Sequence, residues 1–593
     1  MNLAEQINSP LLCNSSIEKI QQLSKKFNKL KKNIIPVQRK LNISFNAGFT
    51  LDYLLEVMPL FFRNRGIEAN IFKANYGTIN FDINNLKSDY WSKKCDVHVL
   101  LPTHRNLVYA PHFQSNRFQL SKILSKESKP WFNLWKAIKK PIVQLTFDPP
   151  TERHLGDSDG LNIGGAHHYV RKLNSFLIEN APSHVNFLDS EQIASEVGMN
   201  SWHDQRMYYL TKQPFSMDAI PYIANKISST ISSIVGLSKK VLVLDLDNTI
   251  WGGLAGEEGA AGIVLGNETP EGEAFVNFQK YLKGLSKKGV ILCVCSKNEE
   301  KIAKTIFRNH SSMILKLEDV AVFLANFKDK ATNIREISKK LNLGLDSFVF
   351  IDDSSTECEL IKSELPEVWT IQMDGDSSFF SRKIDQVNPF NFRHVTKEDQ
   401  LRSESYKKIA VLNSNLNSKT NIDKFLKNLE TKAIIESVRN ETVERISQLI
   451  GKTNQFKLNQ NLFSVSELKK LKKNTLAIRL KDRTQDFGIV SAVVFNIDRK
   501  NKLLKINNWV MSCRVFSRRL EFFILDLIIK VAKKNKCTNI MFDYQKTKKN
   551  ILFFDFLNSL VGKNISKNNI FKLSIKNIKF NKRSYISQIK NNK

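Results

Sequence analysis

Val241-Leu-Val-Leu-Asp245-Leu-Asp247-Asn-Thr249-Ile-Trp-Gly-Gly253 decides the fold of the middle of this chain. Its apolar start does not alternate with polar residues, so it reads as a strand buried on both faces, the mark of a parallel sheet covered by helices. Two aspartates, two positions apart, follow at once. In an open parallel sheet ligands gather outside the carboxyl ends of the strands. Asp245 and Asp247 therefore stand where chemistry is done, one suited to act as nucleophile and the other as general acid and base.

The same grammar continues on the carboxy-terminal side. Glu271–Lys288 reads as an amphipathic helix, Val290–Cys295 as a strand, Glu299–Arg308 and Ala331–Leu341 as helices, and Phe348–Ile351 as a strand. Each strand end carries polar groups. Ser296-Lys297-Asn298 offers a hydroxyl for a phosphoryl oxygen. Lys330 opens a helix and offers a cation, with Lys328 as its competitor. Asp352-Asp353 adds two carboxylates. Oxygen-only ligands such as these suit a hard cation such as Mg²⁺. Thr249 and Asn298, in the same turns, are candidate substrate-binding groups. Singly, each element is an ordinary turn, cap or surface lysine; four of them in order at strand ends argue for a phosphoryl-transfer centre. Fifty-one positions separate Asp245 from Ser296 and 34 separate Ser296 from Lys330, too few for a large inserted cap domain.

The order Asp245-Leu-Asp247-Asn-Thr249, Ser296-Lys297, Lys330 and Asp352-Asp353 resembles the four motifs of the haloacid-dehalogenase (HAD) superfamily. That resemblance implies an aspartyl-phosphate on Asp245, acid–base catalysis by Asp247, and phosphoryl oxygens held by Ser296 and Lys330. It also implies Mg²⁺ on the Asp245 carboxylate, the Asp247 carbonyl and Asp352, with Asp353 nearby. Longer runs, Gly262-Ile-Val-Leu-Gly266, Val294-Cys-Ser-Lys-Asn298 and Leu341-Asn-Leu-Gly-Leu-Asp-Ser-Phe-Val-Phe-Ile-Asp-Asp353, are similar to the FkbH-like proteins, subfamily IIIC. The likeness extends to Gly48-Phe-Thr50 and Tyr76-Gly77, and to Thr453-Asn-Gln-Phe456, Met511-Ser-Cys-Arg-Val515 and Lys548-Lys-Asn550. It implies three α/β domains. Residues 1–235 would be SGNH-hydrolase-like and 236–395 a doubly wound HAD-like domain. Residues 396–593 would be an acetyltransferase-like α+β domain with a basic tail.

FkbH-like proteins take a glyceryl unit from 1,3-bisphosphoglycerate, remove phosphate and load the acyl group on an acyl carrier protein. The resemblance thus implies a carrier partner and, plausibly, a thiol relay, for which Cys295 beside Ser296 is the first candidate and Cys513 the second. Two departures stand out. Arg514-Val-Phe-Ser-Arg518-Arg519 lacks the two glycines of a phosphate cradle, which argues against ordinary coenzyme A binding and leaves side chains, or mere solvated arginines, at that place. Phe45-Asn-Ala-Gly-Phe-Thr50 has no nucleophilic serine, and His203-Asp204 lacks the Asp-x-x-His spacing, so esterase activity is not expected; His167-His168 lacks the partners of a metal site.

Composition narrows the classes further. The 593 residues carry a net charge of +32. Residues 401–593 hold 41 Lys and Arg against 14 Asp and Glu, a balance of +27. Such a segment suits an acidic partner, and an acidic carrier protein fits; no compact basic cluster with interleaved aromatics favours nucleic acid. Compositional drift explains the segment equally well. The seven cysteines are scattered without a Cys-x-x-Cys pair, as in a reducing compartment. No apolar run reaches the length of about 18 residues needed to span a membrane, and no signal-type core opens the chain; a cytoplasmic enzyme is expected. Its rivals are a plain phosphatase acting on a phosphosugar or sugar acid in surface-polysaccharide synthesis, and a basic nucleic-acid-binding module.

Overall fold

Buried apolar strands alternating with helices build two five-stranded parallel sheets in the computed structural model of the chain, and a mixed sheet follows them. The structure describes residues 6–7, 9–30, 36–256, 262–391, 404–410, 426–483, 486–516, 518–547, 549–561, 570–575 and 584–589. The expected boundary at 395/396, Ser517, Lys548 and most of the Lys/Asn-rich tail lie outside the described residues. The chain divides into two compact units, Met1–Ile234 and Val235–Lys593.

In the first unit β1 (Arg39–Ala47), β2 (Ile67–Lys73), β3 (Val97–Leu101), β4 (Ile142–Leu145) and β5 (Val185–Leu188) stand in the order β2-β1-β3-β4-β5. Every pairing is parallel. The chain steps one way from β1 to β2 and the other way to β3, which opens a crevice at the carboxyl ends between β1 and β3. Trp131 and Trp135 of the helix Arg117–Ala137 pack with Phe147, Tyr169 and Leu173 to form a core over one face. Asn116 starts that helix, accepting the Gln119 N–H.

The second unit opens with β6 (Val241–Leu244), β7 (Ile291–Ser296), β8 (Val320–Ala325), β9 (Phe348–Asp352) and β10 (Trp369–Gln372), ordered β10-β9-β6-β7-β8 and wholly parallel. β6 is central and buried throughout, as its unbroken apolar run requires. The crossover helices include Pro270–Lys287, started by the Thr269 side chain with Pro270 in its first turn, and Lys330–Leu341, started by Asp329. β8 and β10 lie at the sheet edges, and nothing in the reading of the sequence had picked them out.

The third sheet holds β11 (Lys432–Glu436), β12 (Phe456–Lys457), β13 (Thr475–Lys481), β14 (Asp486–Asp498), β15 (Leu503–Met511), β16 (Asn539–Asp543), β17 (Ile570–Ser574) and β18 (Ser587–Ile589). It runs β17-β16-β15-β14-β13-β11-β18, antiparallel except for the pairs β15–β16 and β11–β18. The apolar helix Leu520–Lys534 covers it. Within this unit Lys549 forms an ion pair with Asp346, in the turn before β9.

Candidate active site

Strand register sets the site. Leu244 of β6 pairs with Ile351 of β9 and with Val294 of β7. Asp245 therefore leaves the sheet level with Asp352, and its N–H donates to the Ile351 carbonyl at 3.1 Å. Ser296 ends β7 on the other side. Three adjacent strands thus deliver their polar ends to one place, which parallel strands of a doubly wound sheet are suited to do.

Lys330, the first residue of its helix, reaches into this group. Its Nζ donates to Asp245 Oδ1 at 2.8 Å and to Asp352 Oδ2 at 2.5 Å. All three residues are buried. Lys328 is exposed, so Lys330 is the lysine that the fold brings to the aspartates. The Ser354 N–H holds Asp352 Oδ1 at 2.9 Å. One carboxylate oxygen from each of Asp245, Asp352 and Asp353 lies within 4.8 Å of the others. Three converging carboxylates with oxygen as the sole donor element fit a hard divalent ion such as Mg²⁺. The Thr249 hydroxyl, in the turn after β6, is buried with no hydrogen-bond partner among the described residues.

The electrostatics follow from this crowding. Burial, with Asp352 adding to it, pushes the Asp245 carboxyl up to about 7 against the pull of Lys330 and Ser296. Burial likewise raises Asp352 and Asp353. For Lys330 burial disfavours the charge, but Asp245 and Asp352 outweigh it and raise the ammonium above its ordinary value. A carboxyl raised on folding makes the folded state less favourable as pH climbs from its unfolded value, near 3.8, to its folded value, about 7. The metal-free protein should therefore lose melting temperature across that window. Added Mg²⁺ should raise the melting temperature more at about pH 8 than at about pH 5.5, where protons compete for the same oxygens. Scanning calorimetry with and without Mg²⁺ at both pH values checks this; an equal increment at both would contradict it.

Asp247 is held apart from the carboxylate cluster. Its Oδ1 accepts the Trp251 indole N–H at 2.9 Å and the Ala255 N–H at 3.2 Å, and its Oδ2 accepts Asn298 Nδ2 at 3.0 Å. The same Asn298 amide donates to Ser296 Oγ at 3.2 Å, tying the turns after β6 and β7 together. The turn after β6 needs Asn248 in the left-handed region, φ 51°, and its side chain accepts the Gly253 N–H at 2.9 Å. Gly252 then forms an antiparallel bridge with Val264. The hold of Trp251 and Ala255 on Asp247 is not evident from the sequence, although Trp251 stands in the quoted run; an indole four residues past an aspartate in an apolar setting is the available signal. Removing the amide, Asn298→Ala, should lower turnover by about 10–100-fold, as loss of an orienting partner does, with little change in melting temperature. Steady-state kinetics and a melting curve on one preparation test this.

Cys295, the first candidate for a thiol relay, lies behind Ser296 at the strand end, its sulfur 3.8 Å from the Lys330 carbonyl. It is fully buried and packs with Cys293, Val243 and Ile334 in the core beneath the site. Burial pushes its thiol well above the ordinary range, and the thiolate is the reactive form. Cys513 is half-buried, its sulfur 2.8 Å from the Tyr406 hydroxyl. Arg518, one of the arginines at the missing cradle, is neither solvated nor free: it pairs with buried Asp482, at 3.2 Å through Nη2, and lies over the Phe487 ring. Arg514 is buried too.

The family described as FkbH, N-terminal domain, matches residues 61–232. Among solved structures the chain is similar to the N-terminal part of the protein BF1531 from Bacteroides fragilis, which contains a phosphatase domain and is complexed with Mg. The identity is 27% and the TM-score 0.58, over 64% of this chain and 100% of that one. Two weaker likenesses have TM-scores too low to carry an argument. One is to Rv2747 from Mycobacterium tuberculosis in complex with CoA and NLQ, 14% identical with a TM-score of 0.17, over 21% of this chain and 68% of that one. The other is to the ribosomal-protein-S18-alanine N-acetyltransferase from Escherichia coli, 11% identical with a TM-score of 0.18, over 25% of this chain and 99% of that one. No curated protein matches the chain. A match to the FkbH N-terminal family and a likeness to a structure that contains a phosphatase domain thus occur in one chain.

Proposed function

We propose that this chain is a Mg²⁺-dependent phosphoryl-transfer enzyme of the HAD type. The observation that carries the reading is Lys330 bridging Asp245 and Asp352 at adjoining strand tips, with Asp353 beside them. Asp245 attacks the phosphorus; a bond from its carboxylate oxygen to phosphorus forms as the bond to the leaving oxygen breaks. Asp247, oriented by Trp251, Ala255 and Asn298, gives that leaving oxygen its proton. It then takes a proton from the water whose oxygen displaces Asp245 and releases phosphate. Lys330 and Ser296 hold the phosphoryl oxygens, and Thr249 and Asn298 complete the pocket wall. Mg²⁺, bound by Asp245, Asp352, Asp353 and the Asp247 carbonyl, would supply neutralisation of the transferring group's charge.

The substrate we assign is a phosphorylated three-carbon acid of the 1,3-bisphosphoglycerate type, with the glyceryl group passed to an acyl carrier protein. The FkbH-type N-terminal match and the +27 carboxy-terminal segment support this assignment. Asp245 would take the phosphate of the 3-position by the same attack on phosphorus; since Cys295 is buried, the carrier's own thiol would attack the acyl carbonyl at the 1-position, losing its proton as the thioester forms and the second phosphate leaves. The same burial favours a second reading, simple hydrolysis of a phosphosugar or sugar acid without a carrier. Intact-mass analysis after incubation with 1,3-bisphosphoglycerate and a carrier separates them. A glyceryl adduct on the carrier, undiminished in Cys295→Ser, supports direct loading. Free phosphate with no adduct, whether or not carrier is present, supports hydrolysis.

A further inference from the structure

The first unit gathers a second constellation at the carboxyl ends of its own sheet. His104 follows β3, Asp148 follows β4, and His203 comes from a loop far along the chain. Asp148 Oδ2 lies 3.1 Å from His104 Nδ1 and 2.6 Å from His203 Nε2. All three donor atoms fall within 4.8 Å of one another. The Asp148 side chain is fully buried, and the His104 and His203 side chains are 9% and 12% exposed.

Contacts beyond those among the three ligand atoms hold the cluster in place. The other oxygen of Asp148 accepts the backbone N–H of His104 at 2.7 Å. The turn bearing His104 is pinned by Asn106, whose Oδ1 accepts the Thr103 N–H at 2.8 Å. Asn106 in turn presses against Gly48 at the tip of β1, where a Cβ would lie 1.7 Å from its Oδ1; only glycine leaves room. His203 is fixed by a backbone bridge to Phe215 and stacks on its ring, the planes 18° apart. The two imidazoles stand nearly perpendicular, 79° between planes and 5.7 Å between centroids, so their nitrogens approach Asp148 from different directions.

We propose that His104 Nδ1, Asp148 Oδ2 and His203 Nε2 bind a transition-metal ion, with Zn²⁺ as the model ion, leaving a fourth position for water or an anionic ligand. Two imidazoles and one carboxylate form a borderline donor set that suits Zn²⁺, unlike the oxygen-only set of Asp245, Asp352 and Asp353. Ligand bonds of about 2.1 Å in a tetrahedral arrangement put donor atoms about 3.4 Å apart, so each of the two Asp148 contacts, at 3.1 and 2.6 Å, needs to open by less than about 1 Å to admit the ion. The backbone N–H on the second Asp148 oxygen is the outer contact that orients a ligating carboxylate. The spacing of these residues, 44 and 55 positions, hid the group from any motif; only the parallel sheet brings them together.

The test uses the full chain, stripped with chelator and titrated with Co²⁺ and then Zn²⁺. Asp352→Asn serves as the background, to weaken binding at the carboxylate cluster. One Co²⁺ per chain should bind with visible ligand-field bands and be displaced by Zn²⁺. His203→Gln keeps a hydrogen-bond donor for Asp148 while removing the imidazole; it should weaken Co²⁺ binding by at least about 100-fold without changing the metal-free melting temperature. Should that variant fold poorly, X-ray absorption on the Zn²⁺-loaded Asp352→Asn chain decides instead: two imidazole ligands support the site, and oxygen ligands alone overturn it. Absence of ligand-field bands, or Co²⁺ affinity unaltered in His203→Gln, also overturns it and leaves a hydrogen-bonded cluster.

Discussion

Asp245→Asn should reduce phosphate release by at least about three orders of magnitude, about 4 kcal/mol of barrier, while the protein remains folded. The amide keeps the shape of the carboxylate and its place beside Lys330 but is no nucleophile. The two outcomes are linked by burial. Because Asp245 is buried and its carboxyl pushed up to about 7, a neutral amide avoids the cost of ionising there, and Lys330 keeps Asp352 as partner. Metal-free Asp245→Asn should therefore melt no lower than the parent above about pH 7. Retained turnover would remove Asp245 as nucleophile; lost turnover accompanied by unfolding would show only that the site is structural.

Lys330→Met should have the largest effect on stability. Removing the ammonium leaves two buried carboxylates facing each other with no cation between them. Breaking a buried ion pair from one side typically costs about 3–5 kcal/mol. Protonation can relieve that cost, so the loss should be greatest at about pH 8 and shrink as pH falls below the raised carboxyl values. Saturating Mg²⁺ should restore part of it, and activity should stay lost since nothing replaces the cation on the phosphoryl oxygens. Denaturant unfolding at two pH values, with and without Mg²⁺, checks the whole pattern. Equal stability of variant and parent in metal-free buffer at about pH 8 would mean that the lysine does not hold these carboxylates.

The middle of the chain was legible because two periodicities coincide there. Val241–Leu244 and Phe348–Ile351 could only be strands buried on both faces, and the polar residues after them had to fall at the carboxyl edge. Edge strands were harder: Val320–Ala325 alternates between buried and partly exposed, and Trp369–Gln372 mixes Thr and Gln with its apolar residues and ends partly exposed, so neither has the unbroken apolar run that marks a central strand. Lys330 was separable from Lys328 only by structure, because one position on a helix start decides which lysine turns inward. The burial of Cys295 was not legible for another reason. Its place next to Ser296 is at the strand end, but side chains alternate along a strand, and its sulfur turns into the core. The His104–Asp148–His203 group escaped since crossovers 44 and 55 residues long bring it together, and the Trp251 and Ala255 contacts to Asp247 depend on how the turn after β6 folds back.

The most direct test of the account is to quench the enzyme with borohydride during turnover in Mg²⁺ and map its peptides by mass spectrometry. An aspartyl-phosphate is reduced to homoserine. The account predicts homoserine in place of Asp245, absent without Mg²⁺ or substrate. Phosphate release with Asp245 unreduced, or reduction at another carboxylate, would contradict it.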